Sequence, residues 1–276
     1  MERKIIKTVQ GVAAIDGAGV RLTRVLGRND VEAFDPFLML DSFDSRNPDD
    51  YVRGFPMHPH RGIETITYLI EGRIDHEDSL GNKGTIASGQ AQWMTAGGGI
   101  LHQEMPKETP RMLGFQLWLN LPSHDKMTPP QYYDITQEMI PAVQEGEATV
   151  RVISGEYKGS RGAEPRHVQA TLYDISLPAG STIELESDPA ENVFVFTILG
   201  EALVDGRQVP EKTAVLFGEG NKVTLQATQG ADARVIYYAA KPLREPISWG
   251  GPIVMNTREE INRAFDDLNR GTFLQH

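Results

Sequence analysis

The chain has 276 residues, a formal net charge of -11 and a pI near 5.1, which excludes nucleic-acid binding through a broadly basic surface. It contains no cysteine, so disulfides, thiolate metal sites and thiol nucleophiles are excluded, and any metal must be held by His, Asp or Glu. No apolar run approaches membrane-spanning length and the N-terminus lacks the apolar stretch of a secretory signal, so a cytoplasmic protein with no membrane partner is expected.

The length allows one large domain or two of roughly 130 residues each. With 27 Gly and 17 Pro punctuating short apolar stretches, the composition favours an all-β chain. The first informative segment, Gly54 to Glu64, carries His58 and His60 two residues apart. It leads into Thr65–Gly72, an apolar run that ends at a glycine turn, and then to a second turn cluster at Leu80–Gly84. The run Thr95-Ala-Gly-Gly-Gly99 precedes His102 and Glu104, again two residues apart. From Leu113 to Leu121 every second residue is large and apolar, the period of a strand with one buried face. A Pro-rich, polar stretch from Pro122 to Glu147 reads as a connection. Further strands are expected over 149–153, 171–177, 193–199 and 234–239, with turns at 178–181 and 205–207. One helix is legible near the end: Thr257-Arg-Glu-Glu260 has the form of a capping box, Ile261, Phe265 and Leu268 repeat at helical spacing, and Gly271 stops it.

The segments 65–72 and 193–200 can be laid over one another, each ending in a glycine turn. This internal repeat predicts two homologous β-barrels, a metal-binding domain over 1–135 and a second domain over 136–276 that ends in the helix. Residues two apart on a strand share a face, so His58 with His60, and His102 with Glu104 on an adjacent strand, form one set of three imidazoles and a carboxylate. Nitrogen and oxygen ligands without sulfur suit iron, nickel, cobalt, manganese, copper or zinc. An isolated His-x-His is more often incidental than functional. Here the two pairs occur together, beside glycines and prolines that shape tight turns.

The phrases HPHRGIETITYLIEG (58 to 72), QWMTAGGGILHQEMP (92 to 106), FQLWLNLP (115 to 122) and PLREPISWGGPIVMNTREEI (242 to 261) closely resemble the pirin family of the cupin superfamily. The resemblance covers nearly the whole chain and is weakest between about 140 and 235. It implies a bicupin, two stacked jelly-roll-like barrels with a short C-terminal helix and a divalent metal, usually iron, only in the first. The residues matching the family's ligands are His58, His60, His102 and Glu104. General cupins take a glutamate from the first motif, but Thr65 occupies that place here and Glu64 is displaced by one residue. Such a shift turns a side chain to the opposite face, so Glu64 is expected to be structural or to orient an imidazole, with Glu104 the carboxylate ligand. In the second half the equivalent count falls on Glu186 and Asp188, and no metal site is expected there.

Phe55 and Met57, which flank His58, and Gln116 and Trp118, which share a strand face, are candidate substrate contacts. Arg61 is a candidate for orienting an anionic group or for bridging the surface to the metal site. His76, amid Asp75, Glu77 and Asp78, reads as part of a solvated turn. His124, His167 and His276 have no ligand-like neighbours. The resemblance implies one of two functions. The first is a metal-dependent dioxygenase that cleaves a flavonol-like aromatic substrate with O₂ (quercetin 2,3-dioxygenase activity), with Glu104 also the catalytic proton acceptor. The alternative is a redox- or metal-responsive regulatory protein that meets a protein partner.

Overall fold

The computed structural model describes residues 1–274, so His276 lies outside the described residues. The chain is built almost entirely of antiparallel strands with one α-helix, Arg258–Arg270, in two compact units. This is the all-β architecture of two units that the repeat predicts, and the bicupin frame that the resemblance implies.

The unit that holds the histidines has a seven-stranded sheet in the order Gln131–Ile135, Ala91–Thr95, Ile63–Glu71, Met112–Asn120, Phe37–Ser45, Val20–Leu26 and Val12–Asp16. A four-stranded sheet, Phe55–His60, Ile100–Pro106, Arg73–Asp78 and Lys83–Ala87, packs against it. Phe43, Leu69 and Met112 from the larger sheet and Ile74 and Ile86 from the smaller fill a common core. Burying such side chains stabilises each by about 1.5–3 kcal/mol, enough in aggregate to hold two sheets together. The strand Met112–Asn120 is buried on both faces rather than one. Its Leu113, Phe115, Leu117 and Leu119 are fully buried, whereas Gln116 and Trp118 on the other face border a cavity that opens to the surface.

The other unit repeats this order strand for strand: Ile5–Gln10, Thr213–Phe217, Asn192–Leu199, Ala233–Ala240, Thr171–Leu177, Ala148–Ser154 and Ala142–Glu145. Ile63–Glu71 and Asn192–Leu199, the two segments of the sequence repeat, thus occupy the same third place in their sheets. Its four-stranded sheet is Thr182–Glu186, Lys222–Ala227, Ala202–Val204 and Arg207–Val209. The first two of these strands hold the places of the histidine-bearing pair. They send Ile183, Leu185, Val223 and Leu225 into the hydrophobic core, and Glu186 faces solvent.

The division of the chain differs from the expected 1–135 and 136–276. Residues Met1–Val12 belong to the histidine-free unit, where Ile5–Gln10 forms a sheet edge, and Leu243–His276 belongs to the histidine-bearing one. The physical reason lies in Arg61, only 2% exposed. Its Nε donates to the Gly98 carbonyl at 2.7 Å, one terminal nitrogen donates to the Phe273 carbonyl at 2.9 Å, and the other pairs with Asp267 at 2.8 Å. Lys126, equally buried, donates to the carbonyls of Gly62 and Val254, both at 2.8 Å, and to Asn120. Two buried cations therefore bind the C-terminal segment to the first barrel. Gly62 is part of this contact: at φ +78 a Cβ there would stand 2.0 Å from the Val254 carbonyl oxygen, so only glycine fits. Arg61 is thus an internal clamp, not a group that orients an external anion.

The helix is capped as the sequence predicts. Thr257 accepts from the Glu260 amide, the Glu260 side chain returns the bond, and Gly271 closes the C-terminus at φ 71. Ile261 and Ala264 are buried, whereas Phe265 remains 38% exposed. Among the described residues, no helix is long and apolar enough to cross a membrane.

Candidate metal centre and cavity

His58 and His60 come from the strand Phe55–His60, and His102 and Glu104 from Ile100–Pro106. The strands run antiparallel with His102 directly opposite His58, so alternation directs all three imidazoles to one side. The Nε2 atoms of His60 and His102 each lie 3.0 Å from His58 Nε2, and one ligand atom from each ring falls within 4.8 Å of the others.

The hydrogen bonds of the far ring nitrogens decide what these atoms are. His58 Nδ1 lies 2.9 Å from the Pro56 carbonyl oxygen, and His60 Nδ1 lies 3.0 Å from that of Pro252. A carbonyl can only accept, so in the neutral rings the proton belongs on Nδ1 and Nε2 presents a bare lone pair. Burial, then the neighbouring His58, pulls His60 down to about 3; burial, then the three other rings, pulls His102 well below its usual range. Neither protonates near neutrality. Facing lone pairs 3.0 Å apart lack the proton that would join them, and a cation between them supplies what the donors need. The three-histidine cluster therefore fits a divalent metal.

These shifts carry a pH dependence. Below about 6.5 the unfolded chain takes up a proton on each histidine that the folded protein refuses, so ν_U exceeds ν_N and stability falls with decreasing pH. For His60 the loss extends down to about 3. Thermal denaturation of chelator-treated protein between pH 7 and about 3 should show this decline, and His60→Gln should make it shallower. An unchanged slope in that variant would contradict the neutral, buried state of the ring.

Glu104, 3% exposed, accepts from Thr67 Oγ1 at 3.0 Å and from Gln116 Nε2 at 2.7 Å. Both donors are neutral, and the group of closely spaced ligand atoms consists of the three histidines. Glu64 is fully buried and accepts from Thr95 Oγ1 at 2.8 Å. It stands opposite Leu119, whereas Thr65 and Thr67 stand opposite Trp118 and Gln116 on the cavity face. The one-residue displacement has the expected consequence. Backbone carbonyls, not Glu64, hold the far nitrogens of His58 and His60.

The register between the two histidine strands shifts after His102, so that Glu104 pairs with Phe55. This bulge places one extra residue on the Phe55–His60 strand. It brings the Phe55 ring to the side of His58, with centroids 6.5 Å apart. Met57 stays on the other face and is 47% exposed, so it is no cavity wall. Phe55, Gln116 and Trp118 do line a cavity of about 690 Å³ that reaches His58 and His60. Trp118 meets His60 edge-on at 4.9 Å and lies 5.8 Å from Trp249. Its Nε1 donates to Gln116 Oε1 at 3.3 Å, linking the aromatic wall through Gln116 to Glu104.

Several of these positions are invisible to periodicity. Trp249 and Pro252 come from the C-terminal segment, roughly 190 residues after the first histidines, and only the folded chain brings them to the site. Arg24 lines the cavity with both guanidinium edges engaged, in a twofold bond to Asp41 at 2.9 and 2.8 Å and one to Asp16 at 2.7 Å. His76 corrects the expected solvated turn: it is 3% exposed on Arg73–Asp78, stacked on Tyr132 at 4.2 Å and 5.6 Å from His102. Its signal was the inward alternation of Ile74, His76 and Asp78, which the acidic neighbours masked.

Two repeated antiparallel barrels, one with a histidine-lined centre and one whose core is apolar, define a bicupin metalloprotein. Residues 19–119 match the Pirin family model, and residues 172–274 match that of the Pirin C-terminal cupin domain. The chain belongs to the pirin family. It is 45% identical over 275 residues to a pirin-like protein of Caulobacter vibrioides, covering 98% of this chain and 99% of that one. Human pirin is 39% identical over 272 residues, covering 96% and 92%. A crystal structure of quercetin 2,3-dioxygenase from Acinetobacter baumannii superimposes with a TM-score of 0.90 at 33% identity, covering 99% of both chains.

Proposed function

We propose that the protein is an iron-dependent dioxygenase that opens the ring of a flavonol-like substrate with O₂ and releases carbon monoxide. The observation that carries this reading is the adjacency of the three-imidazole centre to an aromatic-walled cavity large enough for a planar ring system. The likeness to a quercetin 2,3-dioxygenase over the full length supports it. Glu104 is the fourth ligand in this proposal. A buried carboxylate with only neutral hydrogen-bond donors calls for a compensating charge, and its oxygens retain lone pairs beyond those given to Thr67 and Gln116.

When bound, the metal supplies Lewis acidity toward the substrate hydroxyl and mediates electron transfer between the flavonolate and O₂. The chain's own residues do the rest. Glu104 accepts the hydroxyl proton, with Gln116 and Thr67 fixing its orientation. Trp118, Trp249 and Phe55 receive the planar rings and exclude water from the reacting carbons.

Aerobic incubation of iron-, nickel- or cobalt-loaded protein with quercetin tests the activity, followed by loss of flavonol absorbance and by carbon monoxide. Turnover with at least one metal is expected. Glu104→Gln should keep part of the metal yet lower turnover by about 100-fold or more through loss of the base. No turnover with any metal would sink the flavonol reading, and wild-type turnover in Glu104→Gln would remove the proposed base.

A further inference from the structure

Arg24 and Arg28 both line the cavity, in different chemical states. Arg24 is consumed by Asp16 and Asp41. Arg28 is exposed, with its guanidinium carbon 5.4 Å from the centroid of the Trp249 ring. Among the described residues no carboxylate pairs with it. A guanidinium in cation–π contact with an indole engages the ring through its charge and keeps N–H donors available for another partner. The turn that carries it is fixed: the Asp30 amide donates to the Gly27 carbonyl at 2.9 Å, and the Gly27 amide donates to Asp30 Oδ2 at 3.2 Å. Beneath it Trp249 continues into Trp118 at 5.8 Å and an interplanar angle of 31°, and Trp118 into His60. The wall thus runs from a fork of free donors through two indoles to the metal centre.

We infer that this cavity selects aromatic substrates that carry a carboxylate, with the rings against Trp118 and Trp249 and the carboxylate bound by the edge of Arg28. The inference rests on the reading of this cavity as the substrate site, and it adds to the flavonol-like ring system proposed there a preference for an acidic substituent at the cavity rim. A twofold N–H···O pairing to a carboxylate is the geometry in which arginine outperforms lysine, so Arg28 is the specificity-determining residue.

The test is equilibrium binding of 2-naphthoate and of its neutral isostere 2-naphthamide, read by quenching of tryptophan fluorescence. It uses the full-length protein after chelation, which removes direct coordination of the carboxylate, and again after zinc loading. The unsubstituted protein should bind the acid about tenfold more tightly than the amide, as expected for a charge-assisted pair at a partly exposed site. Arg28→Gln should bring the two probes within about twofold of one another without weakening the amide, and Arg28→Lys should retain part of the preference. Arg28 is exposed, so these variants should keep the melting temperature of the unsubstituted protein. Equal binding of acid and amide by the unsubstituted protein, or an undiminished preference in Arg28→Gln, overturns the inference. Because the readout is binding, a preserved preference with no quercetin turnover discards only the flavonol reaction, whereas turnover without the preference discards only the role of Arg28.

Discussion

His102→Ala is expected to abolish stable metal binding. His102 offers one of three ring nitrogens that lie within 4.8 Å of one another, and the remaining two, from His58 and His60, belong to a single strand. Loss of a residue that merely orients a ligand weakens metal binding by 10–100-fold, so loss of the ligand itself should cost about 100-fold or more. Two measurements check this. Elemental analysis of the purified variant should show only trace metal, and added metal should no longer raise its melting temperature. In the unsubstituted protein, a metal present at about a hundredfold over its Kd stabilises the folded state by roughly 2.7 kcal/mol. Full occupancy in His102→Ala would mean that the cluster is not the metal site.

Arg61→Met is expected to produce the largest loss of stability without touching a ligand. The substitution preserves much of the aliphatic volume but removes three polar contacts at once. The Gly98 and Phe273 carbonyls lose their donor, Asp267 loses its partner, and the cation–π contact with Phe273 at 4.3 Å disappears. Breaking a buried ion pair from one side typically costs 3–5 kcal/mol, and in a chain of this size each kcal/mol lowers Tm by roughly 2–4 °C. A fall of roughly 10 °C is therefore expected by calorimetry. Arg61→Lys should not restore it, because an ammonium cannot reproduce a fork that reaches three directions. The C-terminal segment should also become more susceptible to proteolysis, since Arg61 and Lys126 are buried cations that tie it to the barrel. Metal affinity should fall in parallel, because Pro252 on that segment holds the His60 ring. A Tm within 2 °C of the unsubstituted protein would refute the clamp.

The sequence by itself determined a good deal. Alternation placed strands at 113–121 and 171–177 where the structure has Met112–Asn120 and Thr171–Leu177. The capping box and Gly271 bounded the helix, and the repeat of 65–72 in 193–200 announced two similar sheets. The His-x-His spacing, with His102 on the neighbouring strand, brought the three-histidine cluster together, because residues two apart on a strand must share a face. The same rule turned Glu64 away. These features are local: each follows from backbone geometry over a few residues.

Tertiary structure alone decided the rest. A bulge put Phe55 beside His58 and left Met57 outside, and no local pattern specifies where a strand pair gains its extra residue. Buried Arg61 and Lys126 drew residues 243–274 onto the first barrel, against the expectation that chain order sets domain membership. Their charges read as surface in the sequence, because burial of a cation depends on acceptors contributed by distant segments. The orientation of His60 by Pro252, the cation–π contact of Arg28 with Trp249 and the inward turn of His76 likewise depend on partners far along the chain. Strand alternation thus supplied the three-histidine cluster, while contacts between distant segments supplied the cavity around it.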